Sequence, residues 1–291
     1  MDLVLSTVAQ GLLWAVLAIG LFITFRILDI ADLSIEGTYP LGGAIAVMTI
    51  ADGGSPLMAV IFAFFGGCVA GAVTGFLHTK LKIPALLAGI LTMIGLYSIN
   101  LRIMGRATTS ILGEDTVYTF FEGSMSKVSA TLAVGLLATL VVWFFCYIFF
   151  GTELGAAIRA TGDNPQMIRA QGVNTDVTIM LGLIISNGFV GVTGALLSQS
   201  NGYADVNMGT GVLVTGLASI IIGEVLFGTR SFKNWLISVV LGSVVYRGVV
   251  AFVLWLGMNP NDLKLLTAVI VAVALALPLI KSKMQKLRAG M

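Results

Sequence analysis

The sequence predicts an all-α, polytopic membrane protein with about eight or nine transmembrane helices, some of them short or broken. Of its 291 residues, 57% are hydrophobic and only 10% are charged, whereas a soluble domain carries about 25% charged residues. The apolar residues fall into nine runs, and a helix needs about 20 of them to cross roughly 30 Å of hydrocarbon. The chain is therefore interpreted as one transmembrane domain, residues 1–291.

The nine apolar runs define the predicted spans. They are Leu3–Phe25, Thr38–Ile50, Leu57–Leu77, Pro84–Ile103, Ala130–Phe150, Val177–Ser198, Val212–Phe227, Leu236–Leu256 and Leu263–Ile280. The second and seventh runs are short for a span, which favours half-helices or re-entrant segments there. Small residues recur at close spacing in the third and sixth runs, a pattern typical of tightly packed membrane helices. These two ridges are Gly67, Gly71 and Gly75, and Gly188, Gly191 and Ala195.

Lysine and arginine in short loops predict how the spans are oriented, because cytoplasmic loops carry an excess of both. Basic residues occur in the loop 78–82, in the central loop, at positions 230 and 233 and in the tail KSKMQKLR. All four segments lie on the cytoplasmic side if nine spans start from an external N-terminus. The long loop 104–129 also carries basic residues, but its acidic residues leave the net bias small.

The central polar loop, residues 151–176, contains the signals of a short helix. Asp163 or Asn164 can serve as its N-cap, and Pro165 suits the first helical position. Gly172 can adopt the left-handed conformation that ends a helix. These signals predict a helix of about two turns from Pro165 to Gln171.

The predicted helix carries apolar residues where no span can be built. Met167, Ile168 and Ala170 are expected to be exposed on it, with Arg159 and Arg169 nearby. Such a helix needs a groove on another protein. The alternative is a cytosolic loop with a chance helical turn.

The motif G-x-x-x-R-A-x-G-D-N-P-Q-x-x-R-A-x-G-V-N, residues 155–174, resembles the coupling loop of ABC importer permeases. The branch that it resembles serves branched-chain amino acids, ribose-type sugars and nucleosides. The resemblance implies that the short helix docks in a cleft of an ATPase subunit. The residues that it assigns to this coupling are Arg159, Asp163, Asn164, Pro165, Met167, Ile168, Arg169 and Gly172.

Polar residues at membrane depth are costly and are therefore candidates for a translocation path. The richest group lies in DIADLSIEG, residues 29–37, which is either a cytoplasmic turn or a broken helix that lines a cavity. Its D-L-S-I-E-G segment is similar to the D-L-S-V-G element of sugar and nucleoside permeases, from which Glu36 departs. The candidates are Asp32, Ser34, Glu36, Thr92, Tyr97, Asn100, Ser186, Asn187 and Glu224.

Some of these candidates can also be interpreted as structural residues. Ser186 and Asn187 can bond to a neighbouring helix for packing alone. Glu224, near the predicted inner surface, is interpreted as a snorkelling or gate-closing charge rather than a proton carrier.

Motifs for catalysis are absent from the sequence. It has no G-x-x-x-x-G-K-[ST] phosphate loop and neither G-x-S-x-G nor H-E-x-x-H. His78 has no ligand-spaced companion, so no metal site is expected. A net charge of +2 without a basic stripe also argues against nucleic-acid binding. The chain is therefore not expected to be an enzyme or to bind a cofactor, and if ATP drives this protein, another chain must hydrolyse it.

The resemblance implies a multi-pass permease subunit of a bacterial ABC importer in the cytoplasmic membrane. Its expected partners are ABC ATPase subunits holding ATP and magnesium, an extracytoplasmic substrate-binding protein, the lipid bilayer and a second permease subunit, with a homodimer favoured. The favoured solute is an amino acid, because GTYPLGGA and GDNPQMIRAQGVN look closest to a sub-branch linked to aromatic amino-acid uptake. The alternatives are a secondary transporter or channel without an ATPase, an integral membrane enzyme and a structural assembly subunit.

Overall fold

The structure is a computed structural model that describes residues 2–122, 126–257, 259, 262, 263, 265–269 and 272. Its helices are α1 (Asp2–Phe22), extended by a π-helical turn (Ile23–Ile27), α2 (Ile35–Ala51), α3 (Pro56–Thr79), α4 (Ala85–Met104), α5 (Thr119–Glu122), α6 (Lys127–Phe149), α7 (Glu153–Asp163), α8 (Pro165–Ala170), α9 (Thr175–Asn201), α10 (Val212–Phe227) and α11 (Phe232–Trp255). The predicted all-α class is confirmed for these residues.

Six helices within the described residues are long and apolar enough to span a membrane. They are α3, α4, α6, α9, α11 and the unit formed by α1 with the π-helical turn. The shorter α2 and α10 correspond to the two runs that were predicted to be half-helices or re-entrant segments. Most of the ninth run, Leu263–Ile280, lies outside the described residues.

The helices α1 and α9 form the centre of the fold, because most of their surface is buried. The helices α4, α6 and α11 bury much less and present apolar side chains outward. Their outer faces suit contact with lipid, since lipid tails are as apolar as leucine.

The two predicted small-residue ridges pack α3 against α9. A β-carbon added at Gly71 would lie 2.3 Å from the carbonyl oxygen of Leu183, and one at Gly67 would lie 2.2 Å from that of Asn187. On the facing helix, a β-carbon at Gly191 would lie 2.4 Å from the carbonyl oxygen of Ala63. The backbones therefore touch along much of both helices, as the ridges predict.

The basic loops that the structure describes lie together at one end of the molecule. Lys80 and Lys82, after α3, pair with Asp176 in the first turn of α9. The guanidinium of Arg159 in α7 lies over the ring of Phe232, where α11 begins. This clustering agrees with the predicted cytoplasmic end, and the basic tail lies outside the described residues.

Two short strands, which the sequence analysis did not predict, lie at the opposite end. Strand β1 (Thr108–Ser110) pairs antiparallel with β2 (Tyr203–Asp205). They join the long loop after α4 to the chain that leaves α9.

Candidate functional site

The central loop folds as two helices, α7 and α8, separated by Asn164. Asn164 is the N-cap of α8, because its Oδ1 accepts a hydrogen bond from the amide of Met167 at 3.0 Å. Asp163, the other candidate for this role, is the last residue of α7. Pro165 opens α8, and Gly172 follows it with φ +85°. The capping signals in the sequence therefore located this helix to within one residue.

The apolar side chains of α8 face in different directions. Met167 is 48% exposed and Ala170 is exposed, whereas Ile168 is only 5% exposed. The expectation that Ile168 is exposed was therefore wrong. Neighbouring residues on a helix point about 100° apart, so a helix lying on the protein surface buries one of them while it presents the next.

The longer helix α7 rests on the ends of the spans. Arg159 stacks on Phe232 with its guanidinium carbon 5.2 Å from the ring centroid. A β-carbon at Gly162 would lie 1.8 Å from the carbonyl oxygen of Ile27, so α7 touches the π-helical turn directly. Arg169 instead donates from Nε to the hydroxyl of Thr175, where α9 begins. The loop is thus attached to α1, α9 and α11.

The polar segment before α2 forms a closed network with α9. The Nδ2 of Asn187 donates to Oδ2 of Asp32 at 2.8 Å, while its Oδ1 accepts from the hydroxyls of Ser34 and Thr38 at 3.1 and 2.7 Å. The amide of Ser34 donates to the other Asp32 oxygen at 2.9 Å. All four side chains are buried. These hydrogen bonds attach the non-helical segment between the π-helical turn and α2 to the middle of α9.

That network places the start of α2 beside the middle of α9, a helix long and apolar enough to span a membrane. Asn187 lies twelve residues after Thr175 along α9, or about 18 Å at 1.5 Å per residue. Glu36, in the first turn of α2, accepts from the amide of Gly211 at 3.0 Å, and α10 begins at the next residue. The short helices α2 and α10 therefore both begin near mid-depth, where irregular backbone is tolerated only inside protein or beside a cavity.

The other path candidates bond elsewhere. Thr92 accepts from Thr74 at 3.0 Å, Asn100 donates to the carbonyl of Gly37 at 3.1 Å, and Ser186 donates to the carbonyl of Gly20 at 2.7 Å. Tyr97 is 48% exposed on the outside of α4. Glu224 accepts from Arg26 and from the indole of Trp235, joining the ends of α1, α10 and α11. Their roles in translocation remain predictions.

The sequence analysis missed Arg247, which lies within α11. Its guanidinium carbon is 3.9 Å from the ring centroid of Trp14 in α1. It lines a cavity of about 370 Å³ between α1, α10 and α11, which the loop before α10 and the residues Leu263, Thr267 and Ala268 after α11 also help to enclose. The available signal was an arginine inside the predicted span Leu236–Leu256, because charged residues at membrane depth are rare.

The sequence of this chain is similar to those of known permease components. The family described as branched-chain amino acid transport system / permease component matches residues 3–275. A tyrosine transport system permease protein from Clostridioides difficile (strain R20291) is 40% identical, over 94% of this chain and 90% of its own length. An uncharacterized protein from Rickettsia prowazekii (strain Madrid E) is 34% identical, over 95% of this chain and 98% of its own. A galactofuranose transporter permease from Escherichia coli (strain K12) is 27% identical, over 88% and 74%. No solved structure matches.

Proposed function

This chain belongs to the family of permease components of branched-chain amino acid transport systems, and from that premise we propose that it carries an aromatic amino acid into the cell. The family makes it the membrane-spanning permease subunit of an ABC importer and a multi-pass protein of the inner membrane. Permease components are not catalytic themselves. The solute, the assembly and the coupling residues are the proposed part.

Sequence similarity supports an amino acid rather than a sugar as the solute. The permease named for tyrosine is 40% identical to this chain, whereas the permease named for galactofuranose is 27% identical. The cavity between α1, α10 and α11 has Trp14 and Tyr246 in its wall. Aromatic walls of this kind favour an aromatic solute, because rings gain from offset or edge-to-face contact.

The exposure of Met167 is the observation that carries the coupling part of the proposal. Its apolar side chain is 48% exposed on a helix with a hydrogen-bonded N-cap, at the end of the molecule that holds the basic loops. A short helix with an exposed apolar anchor suits a groove on a partner. The buried Ile168 on the same helix provides the attachment to the permease.

Membership in this family implies ATPase and substrate-binding protein partners. In the proposed assembly, ATP and magnesium bind to the ATPase subunits, and two copies of this chain pair in the bilayer. Closure of the ATPase pair moves α7 and α8, and the permease pair then alternates between outward and inward access.

The test compares ATPase capture and uptake by three forms of the chain. The native permease, Met167→Asp and Leu112→Asp are purified from host membranes, and the co-purifying ATPase is quantified. Leu112 is a matched control, because it is an exposed apolar residue in the loop at the opposite end. Ile168→Asp is unsuitable, since a buried carboxylate would damage the loop itself.

The proposal predicts that Met167→Asp loses most of the ATPase while Leu112→Asp keeps it. Vesicles with the native complex should take up labelled L-tyrosine when ATP is inside and binding protein outside. Equal ATPase recovery with Met167→Asp would overturn the coupling assignment. Uptake of labelled galactose by the same vesicles, without uptake of L-tyrosine, would overturn the proposed solute.

A further inference from the structure

We propose that Arg247 binds the carboxylate of the transported solute, in the cavity between α1, α10 and α11. This inference rests on the proposed amino-acid solute and adds the residue that recognises it. The cavity volume of about 370 Å³ falls within the roughly 300–1,000 Å³ of small-molecule sites.

The position of Arg247 requires an explanation, because a cation this deep in a span is costly. It lies fifteen residues after Phe232 and eight before Trp255, and therefore about 22 Å and about 12 Å from the two ends of α11. Among the residues that the structure describes, no carboxylate forms an ion pair with it. Its Nε is buried and has no hydrogen-bond partner. An ionisable residue in this situation marks a ligand or ion pathway by default.

The contact with Trp14 stabilises the charge without using all of its hydrogen-bonding capacity. A guanidinium stacked on a ring interacts through its flat face, here at 3.9 Å from the ring centroid. Its N–H groups lie in its own plane and remain directed outward from the edge. That edge matches a carboxylate, which can accept two parallel hydrogen bonds from arginine. The stack therefore orients Arg247 while leaving it able to bind an anion.

The rest of the cavity wall suits an amino acid zwitterion with a ring. Trp14 also packs on Tyr39, with centroids 5.8 Å apart, and Tyr246 lies in the same wall as Arg247. The wall includes Gly211, whose amide is bonded by the Glu36 carboxylate. The Glu36 carboxylate, which is opposite in charge to Arg247, is thus held next to the cavity wall at Gly211. Groups of both charges suit a solute that has an ammonium and a carboxylate.

The competing explanation is that Arg247 is a packing residue that joins α11 to α1 through Trp14. Both explanations predict that replacing Arg247 with a shorter side chain reduces uptake of the solute. They differ in whether the solute's carboxylate matters, and in whether a shorter cation restores function. Lysine keeps the charge but loses the planar edge, so Arg247→Lys should retain part of any carboxylate recognition.

The experiment uses the complete complex of permease, ATPase and binding protein in proteoliposomes. Uptake of labelled L-tyrosine and of tyramine, which lacks the carboxylate, is measured for the native chain, Arg247→Gln, Arg247→Lys and Arg102→Gln. Arg102 is the matched control, because it is an exposed arginine near the end of α4. The binding protein is the same throughout, so its own selectivity cancels when each variant's tyrosine-to-tyramine ratio is divided by the native ratio. Recovery of assembled complex on a sizing column excludes misfolded variants from the comparison.

We expect this ratio to fall at least tenfold in Arg247→Gln, to recover in part in Arg247→Lys, and to keep its native value in Arg102→Gln. An assembled Arg247→Gln complex with the native ratio would overturn the assignment while leaving amino-acid import intact. An equal loss of tyrosine and tyramine uptake would also overturn it and make Arg247 a packing residue. A native complex that does not take up L-tyrosine would reject this inference together with the proposed solute.

Discussion

Replacing Asn187 with leucine should destabilise the protein strongly. The substitution removes two hydrogen bonds donated by Nδ2, to Asp32 and to the Leu183 carbonyl, and two accepted by Oδ1. It leaves one oxygen of a buried carboxylate without a donor. Leaving a buried polar group without its hydrogen-bond partner costs about 1–3 kcal/mol, while an average interhelical hydrogen bond in a membrane contributes about 0.6 kcal/mol. Because four hydrogen bonds are lost together, we expect a loss at the upper end of that range, about 3 kcal/mol.

The neighbouring Ser186 provides the matched control. Ser186→Ala removes one hydrogen bond, to the Gly20 carbonyl, and should cost about 0.6 kcal/mol. Unfolding in mixed micelles with increasing SDS, followed by tryptophan fluorescence, gives both free energies. The double substitution Asp32→Leu and Asn187→Leu should cost less than the two single changes summed, because both buried partners are removed together. Substitutions at ordinary surface positions change the free energy of unfolding by about 0.5 kcal/mol or less. A loss of that size for Asn187→Leu would refute the reasoning.

Three further predictions concern the attachments between helices. Gly71→Ala should cost about 1–3 kcal/mol, because the added methyl group has no room between α3 and α9. Gly95→Ala, where a β-carbon meets no described atom within 4 Å, should instead stabilise by about 0.5–1 kcal/mol. Glu224→Ala should cost about 2 kcal/mol and Glu224→Gln less, because glutamine can still accept from the indole. Asn164→Ala should destabilise α8 by about 1 kcal/mol and weaken ATPase binding about fivefold, while Asn164→Asp keeps the cap. The same unfolding assay measures the first two, and ATPase titration measures the third.

Each of these predictions has a result that contradicts it. Equal effects of alanine at Gly71 and Gly95 would mean that α3 and α9 are not in backbone contact. Equal losses with Glu224→Ala and Glu224→Gln would mean that the charge, and not the acceptor oxygen, matters. Native ATPase affinity for Asn164→Ala would mean that α8 does not need its cap in order to dock.

Element positions could be predicted from the sequence where local chemistry decides them. The seventh run was predicted as Val212–Phe227, and α10 has these bounds. The cap of α8 was predicted because Asn, Pro and Gly act within a few residues of themselves. Such signals do not depend on what the helix packs against.

The directions of side chains could not be predicted in the same way. Ile168 and Met167 are equally apolar neighbours, and only the position of α8 on the protein decides which of them is buried. The contact of Asp32 with Asn187 joins residues 155 positions apart, which a single sequence cannot reveal. Membrane helices are apolar on all sides, so their periodicity gives little information about which face meets a neighbour.

The cavity near Arg247 joins parts of the chain that are distant in the sequence. Its walls include α1 as well as α10, α11 and residues that flank them, and Trp14 is more than 230 positions before Arg247. The intramembrane arginine could have been noticed, but its aromatic partner and its unpaired Nε become visible only in the folded chain.

The backbone contact between α3 and α9 has a mechanical consequence. Helix α9 starts five residues after α8 ends and runs for 27 residues, or about 40 Å. Because glycine contacts hold it against α3, we expect the two helices to move as one rigid body. If α8 is displaced, we expect the movement to reach the far end of α9, where β2 pairs with β1. The π-helical turn at Ile23–Ile27, which α7 touches, lies outside this pair of helices, and such turns frequently occur at functional sites.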